Sequence, residues 1–343
     1  MSVAPAPEGF LFGVDVGGTK VAAGLVDPSG KILTQVRTAM IANDGAEGGL
    51  AAVTSAIDAV SARLANGPAA PQRLIHGIGI CSPGPLDPKT GVVLNPPNLP
   101  CWRNFPLAAE LARIYGVRVK VDNDANAAAL AECLWGAGRG YQNVFFTTIG
   151  TGIGSGILFA GRIYHGRTGA AAEGGHLSID YRGPRCGCGK PGCIEALASG
   201  PAIARRAREK LESGRPSSLR DLAGGELSAI TSEMVGQANA SGDPLAAEVF
   251  EETIDMLAFW LGNVVDLLEP DVIIIGGGVA TMLRPFFEEI QRRLPRCSVN
   301  PRCVEIPIVP ARYGEDAGIA GGAALCFDAS RTNGEPATLV SKG

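Results

Sequence analysis

The sequence predicts an α/β protein of two lobes, and three observations lead there. At 343 residues the chain is long for a single hydrophobic core. Its first half alternates short apolar strands with periodic helices, and from residue 144 a set of glycine-punctuated strands starts the pattern again. A small N-terminal lobe is expected over residues 1–122 together with about 316–330, a large lobe over 123–315, and a tail over 331–343.

Taken in order, "FLFGVDV" (10–16), "VAAGLVD" (21–27) and "KILTQVR" (31–37) read as three strands joined by tight glycine or proline turns, a meander. "LAAVTSAIDAVSARLA" (50–65) has helical periodicity, and "LIHGIGI" (74–80) and "VRVKV" (117–121) are apolar runs of the kind that a buried parallel sheet uses. A helix is expected after Asp124, and strands return in "VFFTTIGTGIGSGILFAGRIY" (144–164). The longest helix falls near 245–268, where Phe250, Ile254, Leu257, Leu261, Val265 and Leu268 step by three or four residues, and it leads into the strand of "EPDVIIIGGG". Residues 212–226 read as a surface loop or short helical insertion.

Composition narrows the function. Hydrophobic residues at 46%, charged residues at 19%, 47 glycines and 24 prolines suit a globular chain rich in tight loops. Thirty basic residues against 34 acidic ones leave a net charge of −4, and apart from "RRAREK" (205–210) the cations are scattered, which argues against a nucleic-acid surface. "MSVAPAPEGF" has neither a basic nor an apolar segment and reads as a short disordered leader. No apolar run approaches the length of about 20 residues that crosses a bilayer, so a cytoplasmic protein is expected. Nine cysteines then read as thiols and metal ligands rather than disulfides, with Cys81, Cys101, Cys133, Cys297, Cys303 and Cys326 as isolated core or surface residues.

Three glycine loops end strands. "DVGGTK" offers Gly17 and Gly18 for close backbone approach to an oxyanion, Thr19 as a hydroxyl donor, Lys20 as a cation, and Asp15 for a magnesium ion bridging phosphates. "TIGTGIGSG" (148–156) repeats the design with Gly150, Gly152, Gly154 and Gly156 beside Thr148 and Thr151. "IIGGGVA" (274–280) follows a strand and opens a helix at Gly276, Gly277 and Gly278. Each alone is most often structural; together they point to a nucleotide lying in a cleft between two lobes.

"EGGHLSIDYRGPRCGCGKPGCIE" (173–195) concentrates chemistry. His176, Cys186, Cys188 and Cys193 supply one imidazole and three thiolates, a donor set suited to tetrahedral zinc, and four protein ligands make the site closed and structural. The alternative is a cluster of reduced thiols. Glu173 and Glu195 flank these ligands, so a metal would fix both carboxylates, which accept hydrogen bonds from paired hydroxyls such as a sugar presents. His176 has a second ring nitrogen to offer a hydroxyl. In "VKVDNDANAAALAE" (119–132), Asp122, Asn123 and Asp124 stand where a strand gives way to a helix; helix capping is the ordinary reading, but beside phosphate loops Asn123 and Asp124 are favoured as functional.

"DVGGTK", "CSPGPLD", "VDNDANAAALAE", "TIGTGIGSG", "EGGH", "CGCGKPGCIE" and "IIGGGV", in this order, resemble the ROK family of sugar kinases and repressors, most closely its bacterial ATP-dependent glucokinase branch, over residues 10–327. The resemblance implies an actin-like ATPase (ribonuclease H-like) fold, two lobes each built on a βββαβαβα core, with hinge closure around the sugar. It implies Asp124 as general base, sugar contacts from Gly84, Asn98, Asn123, Glu173, His176 and Glu195, zinc on His176, Cys186, Cys188 and Cys193, ATP with Mg²⁺ on the glycine loops, and a homodimer. In the repressor branch a winged-helix domain comes first; with the phosphate loop beginning at Asp15, a kinase is expected instead. Glucose is the expected sugar, with N-acetylmannosamine, N-acetylglucosamine and fructose kinases of the same family, and a non-catalytic sugar sensor, as alternatives. The paired glycines of "EGGH" are expected to widen the pocket beside Glu173, which keeps the amino sugars among the alternatives. ATP is expected as donor because no basic cluster is visible for a polyphosphate chain.

Overall fold

The computed structural model describes residues 9–40, 45–65 and 75–332; the expected leader up to residue 8 and residues 333–343 of the expected tail lie outside the described residues. Two compact units emerge. One holds the described residues up to Trp135, the segment His165–Ala171 and those from Glu315 onward; the other holds Gly136–Tyr164 and Ala172–Gly314.

The first unit begins with β1 (Phe10–Val16), β2 (Lys20–Val26), β3 (Ile32–Ala39) and α1 (Gly45–Ala65). It continues with β4 (Ile75–Ser82), the two-residue strands β5 (Leu86–Asp87) and β6 (Val92–Val93), α2 (Leu107–Tyr115), β7 (Val119–Asn123) and α3 (Asp124–Trp135). Its sheet runs β3-β2-β1-β4-β7: the first three strands form the antiparallel meander that alternation and turn glycines predict, and β4 and β7 join parallel to β1. Phe12, Val14, Ile57, Ile80, Leu107 and Trp102 fill its core, with Trp102 stacked on Phe105 at 5.4 Å.

The second unit contains β8 (Val144–Ile149), β9 (Ile153–Phe159), β10 (Arg162–Ile163), the short helices α4 (Ile194–Ala198), α5 (Gly200–Glu212), α6 (Leu219–Leu222) and α7 (Ser232–Ala240), and the long α8 (Pro244–Leu268). β11 (Val272–Gly276), α9 (Gly278–Leu283), α10 (Phe287–Arg293) and β12 (Ile308–Pro310) complete it. Its sheet order, β10-β9-β8-β11-β12, repeats that of the first unit: an antiparallel meander followed by two parallel strands. α8 starts where Asp243 caps it, accepting from the Leu245 and Ala246 amides at 3.0 Å, with Pro244 in the first turn. Its apolar stripe, Phe250, Ile254, Leu257, Leu261 and Val265, is buried as periodicity predicts, and Trp260 meets Phe145 edge-on at 5.6 Å.

The last helix, α11 (Ala317–Thr332), returns to the first unit. It lies on β1 and β4 so closely that a Cβ on Gly13 would stand 1.7 Å from the Ile319 carbonyl oxygen, and one on Gly79 1.7 Å from that of Gly322. α3 packs on α11 and β4, so residues 124–135 belong with the first sheet, whereas the sequence reading sets the boundary before residue 123. His165–Ala171 joins the first unit although its neighbours in sequence belong to the second. Among the described residues no helix is long and apolar enough to cross a membrane.

Candidate active site

In the first unit the chemistry gathers at the carboxyl ends of β1 and β7, the usual place for ligands in such sheets. Asp15 is the penultimate residue of β1, and Gly318, at the start of α11, packs directly against its carboxyl. Burial, and then the charge of Asp124, push the Asp15 carboxyl up to about 6, against the lowering pull of Lys20 and Arg37. The "GGTK" turn closes with the Gly17 amide donating to the Lys20 carbonyl at 2.9 Å, and the Met40 amide donates to the Thr19 carbonyl at 2.9 Å. Gly18 lies against the backbone of Asn98, so a loop expected at the phosphates and a residue expected at the sugar are brought together.

The three polar residues at the end of β7 and the start of α3 divide their work. Asn123 caps α3: its Oδ1 accepts from the amides of Ala125 at 2.9 Å and Asn126 at 3.4 Å. Asp122 is buried and saturated, with Oδ1 accepting from the Asn123 amide at 2.7 Å and Asn126 Nδ2 at 3.2 Å, and Oδ2 lying 2.6 Å from His165 Nε2. Asp124 is the exposed residue of the three, and its hydrogen-bond partners are local, the Ala125 amide at 2.8 Å and the Asn123 side chain. Surrounding protein raises its carboxyl, and the local hydrogen bonds pull it back only in part. Gly84 lies beside the Asn123 amide group. His165 is a member of this cluster that sequence reasoning missed; it stands 43 positions from Asp122, and nothing local marks it.

In the second unit two of the glycine loops converge. Gly276 pairs with Thr148 across β11 and β8, and Gly277 rests on the Ile149 carbonyl and the Thr148 hydroxyl, with Gly278 opening α9. The turn from β8 to β9 closes with the Gly150 amide donating to the Gly152 carbonyl at 2.9 Å, while the Gly200 amide donates to the Gly150 carbonyl at 2.8 Å; Thr151 at its tip is exposed.

Glu195 ties this loop to the cysteine segment. Its Oε2 accepts from the Ile153 amide at 2.9 Å, and its Oε1 lies 3.5 Å from Cys186 Sγ and 3.8 Å from His176 Nδ1. The ligand atoms of His176, Cys186, Cys188 and Cys193 all lie within 4.8 Å of one another. Tetrahedral zinc, with bonds of about 2.3 Å to sulfur and 2.0 Å to nitrogen, requires S···S near 3.8 Å and S···N near 3.5 Å. Cys188 and Cys193 sulfurs are 3.6 Å apart, and Cys186 Sγ is 3.6 Å from His176 Nδ1. The four residues therefore fit the ion, with Nδ1 facing it and Nε2 left for another partner. Burial pushes the Cys193 thiol up to about 12 and raises Cys186, while a backbone hydrogen bond at Lys190 lowers Cys188; a bound divalent cation deprotonates such thiols.

Glu173 is exposed, but the glycines that follow it do not open space. A Cβ on Gly175 would stand 1.8 Å from the Ile153 carbonyl oxygen, and one on Gly174 2.5 Å from Ser155 Oγ. The Gly174 amide donates to Ser155 Oγ at 2.8 Å, that hydroxyl donates to the Ala172 carbonyl at 2.6 Å, and Trp260 Nε1 donates to the Gly174 carbonyl at 3.1 Å. The paired glycines are thus required by close backbone packing on β9, which corrects the expectation of a widened pocket and removes its support for an amino sugar.

The sequence profile of the ROK family matches residues 11–329. The glucokinase of Thermotoga maritima is 36% identical over 93% of this chain and 98% of its own length, and that of Halalkalibacterium halodurans 37% identical over 91% and 93%. A ROK family glucokinase from Streptomyces griseus, solved in complex with glucose and AMPPNP, superimposes with a TM-score of 0.75 at 35% identity, covering 92% of this chain and 99% of that one. The duplicated sheets with their helices accordingly form the two-lobed actin-like ATPase fold, and the chain belongs to the ROK family.

Proposed function

We propose that the chain is an ATP-dependent glucokinase, transferring the γ-phosphoryl group of ATP to the 6-hydroxyl of glucose with Asp124 as the general base. A hexokinase-type phosphotransferase is what its ROK kinase relatives make it; the base and the sugar are the further step. One observation carries the assignment of the base: of the three polar residues at the end of β7 and the start of α3, Asn123 is spent on capping and Asp122 on three internal partners, while Asp124 is the exposed residue and its carboxyl is raised. A raised carboxylate is a stronger base for a hydroxyl proton. Asp124 takes the O6 proton as O6 forms its bond to the γ-phosphorus, and the bond from that phosphorus to the bridging oxygen breaks to release ADP.

Asn98, Asn123, Glu173, Glu195, His176 through Nε2, and the backbone at Gly84 orient the sugar hydroxyls. Backbone amides around Gly17, Gly18, Gly150, Gly152 and Gly276–Gly278, with Thr19, Lys20, Thr148 and Thr151, receive the nucleotide. Asp15 is the residue placed to hold Mg²⁺, which supplies charge neutralisation at the phosphates. Zinc on His176, Cys186, Cys188 and Cys193 is structural: all four positions are protein ligands, and Glu195 and His176 are held by the same cluster. The glucokinase relatives favour glucose.

A coupled assay with ATP and Mg²⁺ across glucose, fructose, mannose, N-acetylglucosamine and N-acetylmannosamine tests the reading. Glucose should lead in kcat/KM by about tenfold or more. An N-acetyl sugar in front would overturn the sugar, and no turnover with any of them would overturn the kinase in favour of a sugar-sensing protein.

A further inference from the structure

A cavity of about 590 Å³ in the first unit is lined by Asp87, Pro88, Lys89, Leu94, Lys120, His165, Arg167, Thr168 and Gly169, and none of the sugar or nucleotide residues assigned above borders it. Its volume lies in the range of small-ligand sites. Its charge is one-sided: Lys89, Lys120 and Arg167 face a single acid, Asp87, whose oxygens are already engaged by its own turn. Oδ1 accepts from the Lys89 amide at 3.0 Å and Oδ2 from the Thr90 hydroxyl at 2.7 Å. Among the described residues none of the three cations forms an ion pair. Lys89 and Arg167 are exposed and Lys120 half-buried; elsewhere in the chain, cations with mostly covered side chains are matched, Lys210 by Glu248 and Glu252, and Arg293 by Glu251, Asp255 and Glu289. Lys120 is half-buried on β7, where an unpaired ammonium loses hydration without recovering it from a partner.

The walls are held in place. The Gly169 and Ala171 amides donate to the His165 carbonyl at 3.1 and 3.3 Å, Gly169 packs on Pro88, and the His165 ring is anchored to buried Asp122 at 2.6 Å. We propose that this cavity is a second ligand site, specific for a phosphate-bearing small anion and separate from the catalytic one, in which Lys89, Lys120 and Arg167 hold the phosphate and the Thr168 hydroxyl adds a donor. A guanidinium with two ammonium groups around a concave space matches a phosphate dianion. Inorganic phosphate and a phosphorylated sugar share that group, and the space beyond the cations admits either.

The test is equilibrium binding to the full chain, with glucose and AMPPNP present in excess so that the catalytic site is filled. Glucose 6-phosphate, inorganic phosphate and, as a neutral control, mannitol are titrated into the wild type and the Lys120→Gln/Arg167→Gln double variant. The wild type should bind at least one of the two phosphates and not mannitol, with affinity falling as salt rises. The double variant should lose at least about tenfold, while its kcat/KM for the sugar stays within about twofold. Tighter binding of glucose 6-phosphate would identify the sugar body as part of the ligand; equal binding would identify the phosphate alone. Absence of binding by either up to about 10 mM, or equal affinity in the variant, would overturn the site. Binding is read without turnover, so an inactive kinase would leave this result standing.

Discussion

The two units share one sheet plan and put opposite chemistry at the same point of it. Asp15 pairs with Ala22 across the β1–β2 hairpin one residue before the strand ends, and Thr148 holds the same place opposite Gly154 in β8–β9. On the parallel side Asp15 faces Cys81 and Thr148 faces Gly276. At that position the first unit carries a carboxylate pushed up to about 6 with a second raised carboxylate near it, while the second unit carries a hydroxyl amid glycine backbone. Its nearby carboxylate, Glu195, is clamped by the Ile153 amide and the metal-ligand cluster. Proton transfer needs a carboxylate whose charge is poorly compensated; gripping a polyanion and fixing a sugar need neutral donors and immobile acceptors. Under the proposed function, one copy of the frame carries the proton acceptor and the other the clamped carboxylate.

The sharpest way to break this contrast is Asp124→Asn. It should lower kcat by about 10² to 10⁴ while sugar binding stays detectable by calorimetry; wild-type turnover would mean that the charged unit is not where the proton goes.

Cys193→Ser attacks the other half. With the ligand set broken, the Tm should fall by roughly 4–8 °C and the KM for sugar should rise. Zinc, measured by atomic emission on the purified wild type and variant, should be present in the first and depleted in the second; a metal-free wild type with full activity would dissolve the clamp.

The smallest effect concerns stability. The Asp15 carboxyl is raised from 3.8 unfolded to about 6 folded, so its ionisation opposes folding, a penalty absent well below pH 4 and complete above pH 6. Asp15→Asn should therefore stabilise the chain by roughly 1–3 kcal/mol at pH 7.5, with the gain fading as pH falls toward 4. Denaturant titrations at the two pH values check it, and a gain that grows at low pH would reverse the sign of the argument.

Much of the fold and the Cys/His cluster could be read from the chain because their parts are local. The meander β1–β3, the stripe of α8 and the spacing of Cys186, Cys188 and Cys193 each lie within a window where periodicity, turn residues or ligand count speak directly. The pair of glycines in "EGGH" misled because sequence shows that a side chain is missing, not what fills its place; the Ile153 carbonyl does. His165 escaped notice for a related reason: as a lone histidine in a glycine-rich loop it has no pattern, and its partner Asp122 is far along the chain. The basic cavity draws on residues 87–94, 120 and 165–169, so scanning for charge runs could not reveal it.

By itself, then, the sequence determined the strand and helix types, the three glycine turns, the donor set for a metal and the family to which those motifs belong, since each depends on residues a few positions apart. The tertiary structure alone decided that α11 closes the first sheet over Gly13 and Gly79, that residues 124–135 and 165–171 belong to that unit, and which of three adjacent polar residues is left exposed. Those outcomes are contacts between segments tens to hundreds of residues apart, fixed by backbone approach and by competition for hydrogen-bond partners, and neither has a local signature.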